Sequence, residues 1–408
     1  MSTEAFPTRI GLVEALEIVR TVAGARRLPV EPVATGRADG RVLASGVIAP
    51  SPLPAFDNSA MDGFALRHAD LSASAPTTLR LVGEQFAGAD AGLVVGPGEC
   101  VRITTGAPLP QGADTVLIKE NATVEGDRVV APAGLERGAH VRLRAEDVAE
   151  GDEVLQAGQV LTPARIGLAA SLGIDRLPVV ARPTVAVFAS GDELVEPGMP
   201  LRPGQVYNSN RDLLMAQLRA LGLEPVAWPT LPDDPARIEA ALGDAVDSFD
   251  VVLTCGGVSA GEKDHLSRWL QSRGRIHFWK VRMRPGMPLL FGEAERALVL
   301  ALPGNPVSTL VTFAVFGRVL LDALQGRGEP RPRWRARLAA PWRKAHERAE
   351  FLRGRLGQSA DDAVLQVHPN PADGSHRLRG AADSDVLIVL EEGARDYATG
   401  DLVEVLPL

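Results

Sequence analysis

The sequence predicts a multidomain protein of the α/β-plus-β class: a doubly wound α/β domain, a β-rich region before it, and a barrel-like β domain at the C-terminus. Three observations carry this. From Thr184 onward, short apolar runs alternate with segments of helical periodicity. Between Leu79 and Leu143, short alternating runs are separated by Gly and Pro turns. Beyond Pro330, brief β runs return. A length of 408 residues also exceeds one ordinary core and asks for about two to four domains.

In chain order, Thr8 to Val22 carries Ile10, Val13, Leu16 and Val19 near helical spacing, with Thr8 as its expected cap. Leu53 to Leu66 follows an extended segment and places Asp57, Asn58 and Asp62 between apolar anchors. Such residues cap turns by accepting backbone N–H groups, or they form a polar rim facing a ligand or partner subunit. Cys100 to Ile103, Thr115 to Ile118 and Val141 to Leu143 read as strands. Thr105 sits in a turn, Thr104 to Pro108, and Asp147 alone reads as a solvated or capping acid. Thr162 to Leu172 is expected to be helical, with Thr162 as cap and Pro163 in the first position.

The α/β pattern then begins. Val185 to Ala189, Pro225 to Trp228, Val251 to Thr254, Ile276 to Lys280 and Ala297 to Leu302 are the expected strands. Asn210 to Leu221, Asp234 to Val246 and a last segment from Asn305-Pro306 through Leu321 are the expected helices, the last capped by Asn305. After Pro330, Arg331, Arg333, Arg335 and Arg337 alternate with Pro332, Trp334, Ala336 and Leu338, which fits a strand with a wet basic face. Val364 to Val367, Val386 to Leu390 and Leu402 to Leu406 extend that β region.

Composition excludes several function classes. The balance of 45% hydrophobic and 23% charged residues is that of a globular protein. A formal net charge of −8 opposes global attraction to nucleic acid or an anionic membrane. Cys100 and Cys255 lie far apart, so neither a disulfide framework nor a structural zinc site is expected. No uninterrupted apolar stretch spans a bilayer and the first residues lack a signal-peptide pattern, which points to the cytoplasm.

The stretch from Thr254 to Asp264 is the densest in chemistry. Gly256 and Gly257 follow an apolar strand, where paired glycines let a ligand approach the backbone. A following helix would aim its amides and positive dipole end at an anion. Glu262 and Asp264 oppose an anion unless a divalent metal or a water-activating carboxylate is needed there. Ligands in doubly wound folds bind beyond the carboxyl ends of the strands. Three loops, Ser190 to Glu193, Thr254 to Gly257 and Pro303 to Pro306, all follow strands and are therefore expected on one edge.

These residues carry a resemblance. Phe56-Asp57-Asn58-Ser59-Ala60-Met61-Asp62-Gly63, Thr105-Gly106-Ala107-Pro108, Ser190-Gly191-Asp192-Glu193-Leu194, Gly256-Gly257-Val258-Ser259 with Asp264, and Leu302-Pro303-Gly304-Asn305-Pro306-Val307-Ser308 occur in this order over most of the chain. Together they resemble the MoeA/gephyrin E-domain family, the molybdopterin molybdenumtransferases. The resemblance implies a discontinuous N-terminal domain (1–50 and 145–182), an inserted β-rich domain (51–144), a molybdopterin-binding α/β domain (183–327) and a C-terminal β domain (328–408). It implies a homodimer whose site lies between the α/β domain of one subunit and the N-terminal half of the other. The implied reaction takes adenylylated molybdopterin and molybdate, with Mg²⁺, to molybdenum cofactor and AMP.

Residue roles follow from the same resemblance. Glu193 and Asp264 are the implied catalytic acids and Mg²⁺ ligands, joined by Asp147. Asp57, Asn58, Asp62 and Thr105 become substrate-facing, with Gly256, Gly257, Ser259, Pro303, Gly304, Asn305 and Pro306 framing the ligand. Lys280 would bind phosphate or molybdate as a compact cation. Arg284 and Met287 stand where many relatives carry lysines; Arg284 keeps the charge and Met287 removes one. Arg348, Arg353 and Ser375 are further candidates for oxyanion contacts. Other enzymes of cofactor biosynthesis are implied partners, and nucleic acid and membrane are not. An adenylyltransferase-like enzyme and a non-catalytic dimeric scaffold are the competing readings.

Overall fold

The computed structural model describes residues 6–231, 234–256, 265–358 and 364–408. A seven-stranded sheet lies at its centre. In chain order the elements of this layer are β1 (Thr8–Ile10), α1 (Leu12–Gly24), β2 (Val185–Ala189), α2 (Ser209–Ala220), β3 (Val226–Ala227), α3 (Pro235–Ser248), β4 (Val251–Cys255), α4 (His265–Arg273), β5 (Gly274–Val281), β6 (Leu290–Ala294), β7 (Ala297–Leu302) and α5 (Pro306–Leu324). Across the sheet the strands run β1-β5-β6-β7-β4-β2-β3.

Every residue of β4 is buried, the signature of a strand covered on both faces. Its side chains alternate between two cores. Val251, Leu253 and Cys255 pack with α2 and α5, while Val252 packs with α3 and α4. Burying a Val or Leu side chain of this kind contributes about 1.5–3 kcal/mol. Burial also pushes the Cys255 thiol up to about 12, so it behaves as a small apolar side chain. Asp234 caps α3 through the N–H groups of Ala236 and Arg237, and Pro235 occupies the first position.

The expectation about the start of the chain is corrected. Thr8 does not cap a helix: it lies in β1, parallel to β5, with Thr8 opposite Trp279. The buried face of α1 is Ala15, Val19 and Ala23, and Val13 is 79% exposed. A three-residue strand is too short to mark its own periodicity, so it merges with the helical pattern behind it. Further along, α5 is 19 residues long and apolar enough by length and composition to cross a membrane, although Arg318 and Asp322 interrupt its apolar run. Its apolar window is 72% buried inside the protein, with Val307, Val311, Phe313, Phe316 and Leu320 in the sheet-packed core.

Before this layer, a six-stranded sheet joins Gly63–Leu66, Thr77–Gln85, Glu99–Ile103, Thr115–Ile118, Thr123–Glu125 and Arg128–Ala131. Val30–Ala34 pairs with Arg176–Val180. Thr162 accepts the Arg165 N–H at the start of helix Pro163–Ser171. After α5, strands β8 (Trp334–Leu338), β9 (Ala349–Gln358), β10 (Leu365–Pro369), β11 (Val386–Leu390) and β12 (Leu402–Pro407) close into a barrel in the order β9-β10-β8-β12-β11. The ten-residue β9 escapes the sequence reading because Gly354, Gly357 and its arginines interrupt the apolar alternation. Met283–Arg284 joins this barrel by pairing parallel with Ala349 and Glu350.

Candidate functional site

The loops expected on one edge meet there. β2, β4 and β7 are parallel neighbours, so their carboxyl ends share an edge. β6 is antiparallel to both β5 and β7, which brings the carboxyl end of β5, with Lys280, to the same side. From β2 the chain goes outward to β3 and then back across to β4, so the order of strands reverses between β2 and β4.

Backbone contacts draw the loops together. Ser190 donates its N–H to the Cys255 carbonyl and Gly256 donates its own to Leu302, both at 3.2 Å. Gly256 has φ +89°, and a Cβ there would lie 2.9 Å from the Ser190 carbonyl oxygen, so this crossing requires glycine. Gly304 sits 3.7 Å from the Gly256 Cα by the same measure. Glu193 is exposed, and its carboxylate lies over Gly191, where a Cβ would fall 2.6 Å from Oε2. Gly257, Ser259 and Asp264 lie outside the described residues.

One missed residue braces this edge. The Asn210 side-chain amide donates to the Gly304 carbonyl at 2.7 Å and so ties α2 to the third loop. The amide-rich run Asn208-Ser209-Asn210 was its signal in the sequence. Asn208 caps α2 and donates to Thr230 at 3.0 Å. Asn305 differs from expectation. It occupies the N-cap position of α5 without a side-chain cap bond, and it is exposed beside Pro306 and Gly304. Pro303 accepts the Thr309 hydroxyl at 2.7 Å, which secures the loop from behind.

The basic residues divide into distinct environments. Lys280 has φ +68°, its N–H reaches the Leu289 carbonyl at 2.7 Å, and its ammonium lies 4.3 Å from the centre of the Trp279 ring. The Met287 carbonyl accepts the Val281 N–H at 3.0 Å. Arg284 is held by carboxylates: Nη1 lies 3.3 Å from Glu350 and Nη2 3.0 Å from Asp373. Arg353, by contrast, is 2% exposed, with Nε and Nη2 lacking hydrogen-bond partners among the described residues. Burial holds its guanidinium below the usual range, offset by the nearby Asp373 carboxylate. A buried, unsatisfied guanidinium is costly and is the arrangement an incoming anion would complete. Arg348 is half-buried just before β9. Ser375 accepts the Val307 N–H of α5 at 3.1 Å through its carbonyl.

A second cluster forms in the N-terminal half. Asp62 accepts both the N–H and the hydroxyl of Thr105 at 2.8 Å. Those bonds, the backbone one first, hold its carboxyl below the usual range, aided by Lys119 at 3.7 Å. Asp57 accepts the Arg144 N–H at 2.7 Å, and buried Asn58 donates to the Phe56 carbonyl at 3.1 Å. Asp147 is exposed, with its N–H on the Leu53 carbonyl at 3.1 Å. Asp57 and Asp62 therefore bond the backbone of turns distant in the chain, at Arg144 and Thr105, and do not cap turns of their own segment through these bonds.

Comparison with known proteins places this geometry. Residues 10–173 match the model of the MoeA N-terminal region (domains I and II), 186–323 a probable molybdopterin binding domain, and 335–408 the MoeA C-terminal region (domain IV). The chain is 38% identical to a molybdopterin molybdenumtransferase of Haemophilus influenzae over 91% of its length and 92% of that protein's. It is 40% identical to molybdopterin molybdenumtransferase 2 of Mycobacterium tuberculosis over 91% and 93% of the two chains. A solved molybdopterin biosynthesis MoeA protein of Pyrococcus horikoshii superposes with a TM-score of 0.83 at 26% identity, covering 98% of this chain and all of the other.

Proposed function

Because the chain belongs to the molybdopterin molybdenumtransferase (MoeA) family, we propose that it inserts molybdate into adenylylated molybdopterin and releases AMP. It is a transferase of molybdenum cofactor biosynthesis. The observation that carries the detailed reading is the convergence of Glu193, Gly256, Gly304 and Lys280 on one strand edge at the point where strand order reverses.

The substrates explain the mixed charge of that edge. A phosphoanhydride and molybdate both need cations and backbone N–H groups, which Lys280, the glycine loops and the unsatisfied Arg353 offer. Cleavage of the anhydride needs a carboxylate to orient or polarise water, the role assigned to Glu193, with Asp264 as its companion. Asp147 and Thr105 would act from the N-terminal half, with Asp57, Asn58 and Asp62 shaping that surface. Arg284, engaged by two carboxylates, serves the site through its neighbours.

Mg²⁺ fits what the edge offers. Among the described residues no group of three or more His, Cys, Asp or Glu stands ready to cage a metal. Mg²⁺ is typically held by one or two carboxylates together with substrate phosphates, and the exposed Glu193 carboxylate is a donor of that kind. Bound there with Asp264, the ion would neutralise charge on the phosphate oxygens.

Two clusters on separate sheets support a homodimer in which each site draws on both chains. Exposed apolar side chains flank both: Phe56 and Met61 beside the acidic cluster, Met199 and Leu201 beyond Glu193. We place the enzyme in the cytoplasm. The test is incubation of the protein with adenylylated molybdopterin, molybdate and Mg²⁺ while AMP is followed, with light scattering for the dimer. Molybdate-dependent AMP release is expected; its absence from an intact dimer overturns the enzymatic reading.

A further inference from the structure

Asp373 acts on two arginines that the family resemblance assigns to an oxyanion. Its carboxylate takes the Arg284 guanidinium at 3.0 Å across 89 residues of chain. It is also the carboxylate whose field acts on Arg353, whose Nε and Nη2 have no partner among the described residues and which also feels the charge of Arg284. The remaining side of Arg284 meets Glu350, which is buried and receives the Trp342 indole N–H at 3.2 Å; His346 Nε2 lies 3.3 Å from it. Glu350 is thus built into the core, whereas Asp373 is 45% exposed on the loop 370–377. That loop is anchored at both ends. Asn370 donates its N–H to Arg353 at 2.8 Å, and Ser375 accepts from Val307 at the head of α5.

We propose that Asp373 is a resident counter-anion of this site: it occupies the field of Arg284 and Arg353 and yields its place when a substrate oxyanion enters. The inference rests on the reading that the edge receives an oxyanion. The two arginines repel each other, and Arg353 is buried, so a nearby negative charge lowers the cost of assembling the site without substrate. The same charge opposes the substrate. An oxyanion binding beside Asp373 meets a like charge, and one replacing it must break the Arg284 ion pair. Asp373 therefore sets the affinity and the selectivity threshold of the site, and its loop carries Ser375 against the helix that starts at Pro306.

The sign of one measurement tests this. The full-length protein is titrated calorimetrically with sodium molybdate, with sulfate as the control anion, as wild type, Asp373→Asn, Asp373→Glu, Arg353→Gln and the Asp373→Asn/Arg353→Gln double variant. Asp373→Asn is expected to bind molybdate about tenfold more tightly than wild type. Asp373→Glu should stay near wild type, and the gain should vanish in the Arg353→Gln background. A purely structural aspartate would weaken binding when replaced, so unchanged or weaker binding by a variant that melts like wild type overturns the proposal. A gain that survives in the double variant, or no molybdate binding by either wild type or Asp373→Asn, overturns it as well. Molybdate-dependent AMP release by wild type is measured in parallel. Its presence without the affinity gain removes only the role of Asp373, and its absence removes the functional reading itself.

Discussion

The two polar clusters differ in how their hydrogen-bonding capacity is committed. In the N-terminal half, Asp62 and Asp57 are engaged by the backbone of turns they hold together. At the α/β edge Glu193 lies exposed over Gly191, and on the barrel strand β9 Arg353 keeps two buried nitrogens without partners among the described residues. A polar group that closes a turn stabilises the free protein, whereas one left without a partner is a cost that a ligand can offset. The first cluster therefore shapes a surface, and the second is where chemistry can gain from binding.

The sharpest way to break this contrast is to replace one carboxylate from each side. Glu193→Ala should lower AMP release about a hundredfold or more while leaving the melting temperature near wild type. Asp62→Ala should do the opposite, lowering the melting temperature by freeing Thr105 and reducing turnover by a smaller factor. Equal effects on both measurements in both variants would erase the distinction.

Next in size is Arg353→Met. Replacing a buried unpaired charge by an apolar side chain of similar length should leave stability unchanged or raise it by about 1–3 kcal/mol, measured by denaturant unfolding, while turnover at limiting molybdate falls about tenfold or more. A large loss of stability would show that Arg353 is a structural residue.

The glycine loops offer a smaller, paired comparison. Gly256→Ala should cost about 1–3 kcal/mol, because the residue holds positive φ and its new Cβ would press on the Ser190 carbonyl. Gly304→Ala meets only an ordinary contact at 3.7 Å and should change stability by less than about 0.5 kcal/mol. Unfolding midpoints of the two variants decide between strain at the crossing and a general intolerance of the edge.

The least effect is expected where the halves are joined. Arg165 from the helix Pro163–Ser171 grips Glu329, just beyond α5, with Nη1 at 2.7 Å, and the Val160 N–H adds a third bond at 3.1 Å. The Arg165 guanidinium, then Val160, bring the Glu329 carboxyl from 4.5 down to about 2. A depressed carboxyl pKa contributes stability that is fully present above the unfolded value and is lost as pH falls through the folded one. Acid unfolding of wild type should therefore include a contribution between about pH 4.5 and 2 that Glu329→Gln lacks. The ion pair is partly solvated, so the change is modest.

Much of the fold was legible because it rests on local periodicity. Val185–Ala189, Val251–Cys255 and Ala297–Leu302 are apolar but for Thr254, and glycine or proline punctuates their ends. What local signals conceal is seen in β1, too short for a period, and β9, whose glycines and arginines hide a ten-residue strand. For the site, loops that follow strands could be assigned to one edge before any coordinates. Arg284 could not be understood in that way. It reads as a free cation, yet its partners Glu350 and Asp373 arrive from the barrel, with no periodic mark linking them to it.

By itself, then, the sequence determined the fold class, the strand edge on which three loops meet and the residue types gathered there, because these follow from strand direction and spacing along the chain. Tertiary structure alone decided which charges remain available. Arg284 is bound to two carboxylates, Asp62 to a turn, and Arg353 is buried without a full set of partners among the described residues. That outcome depends on burial and on contacts between distant segments, which set the local dielectric and the partners each charge can find.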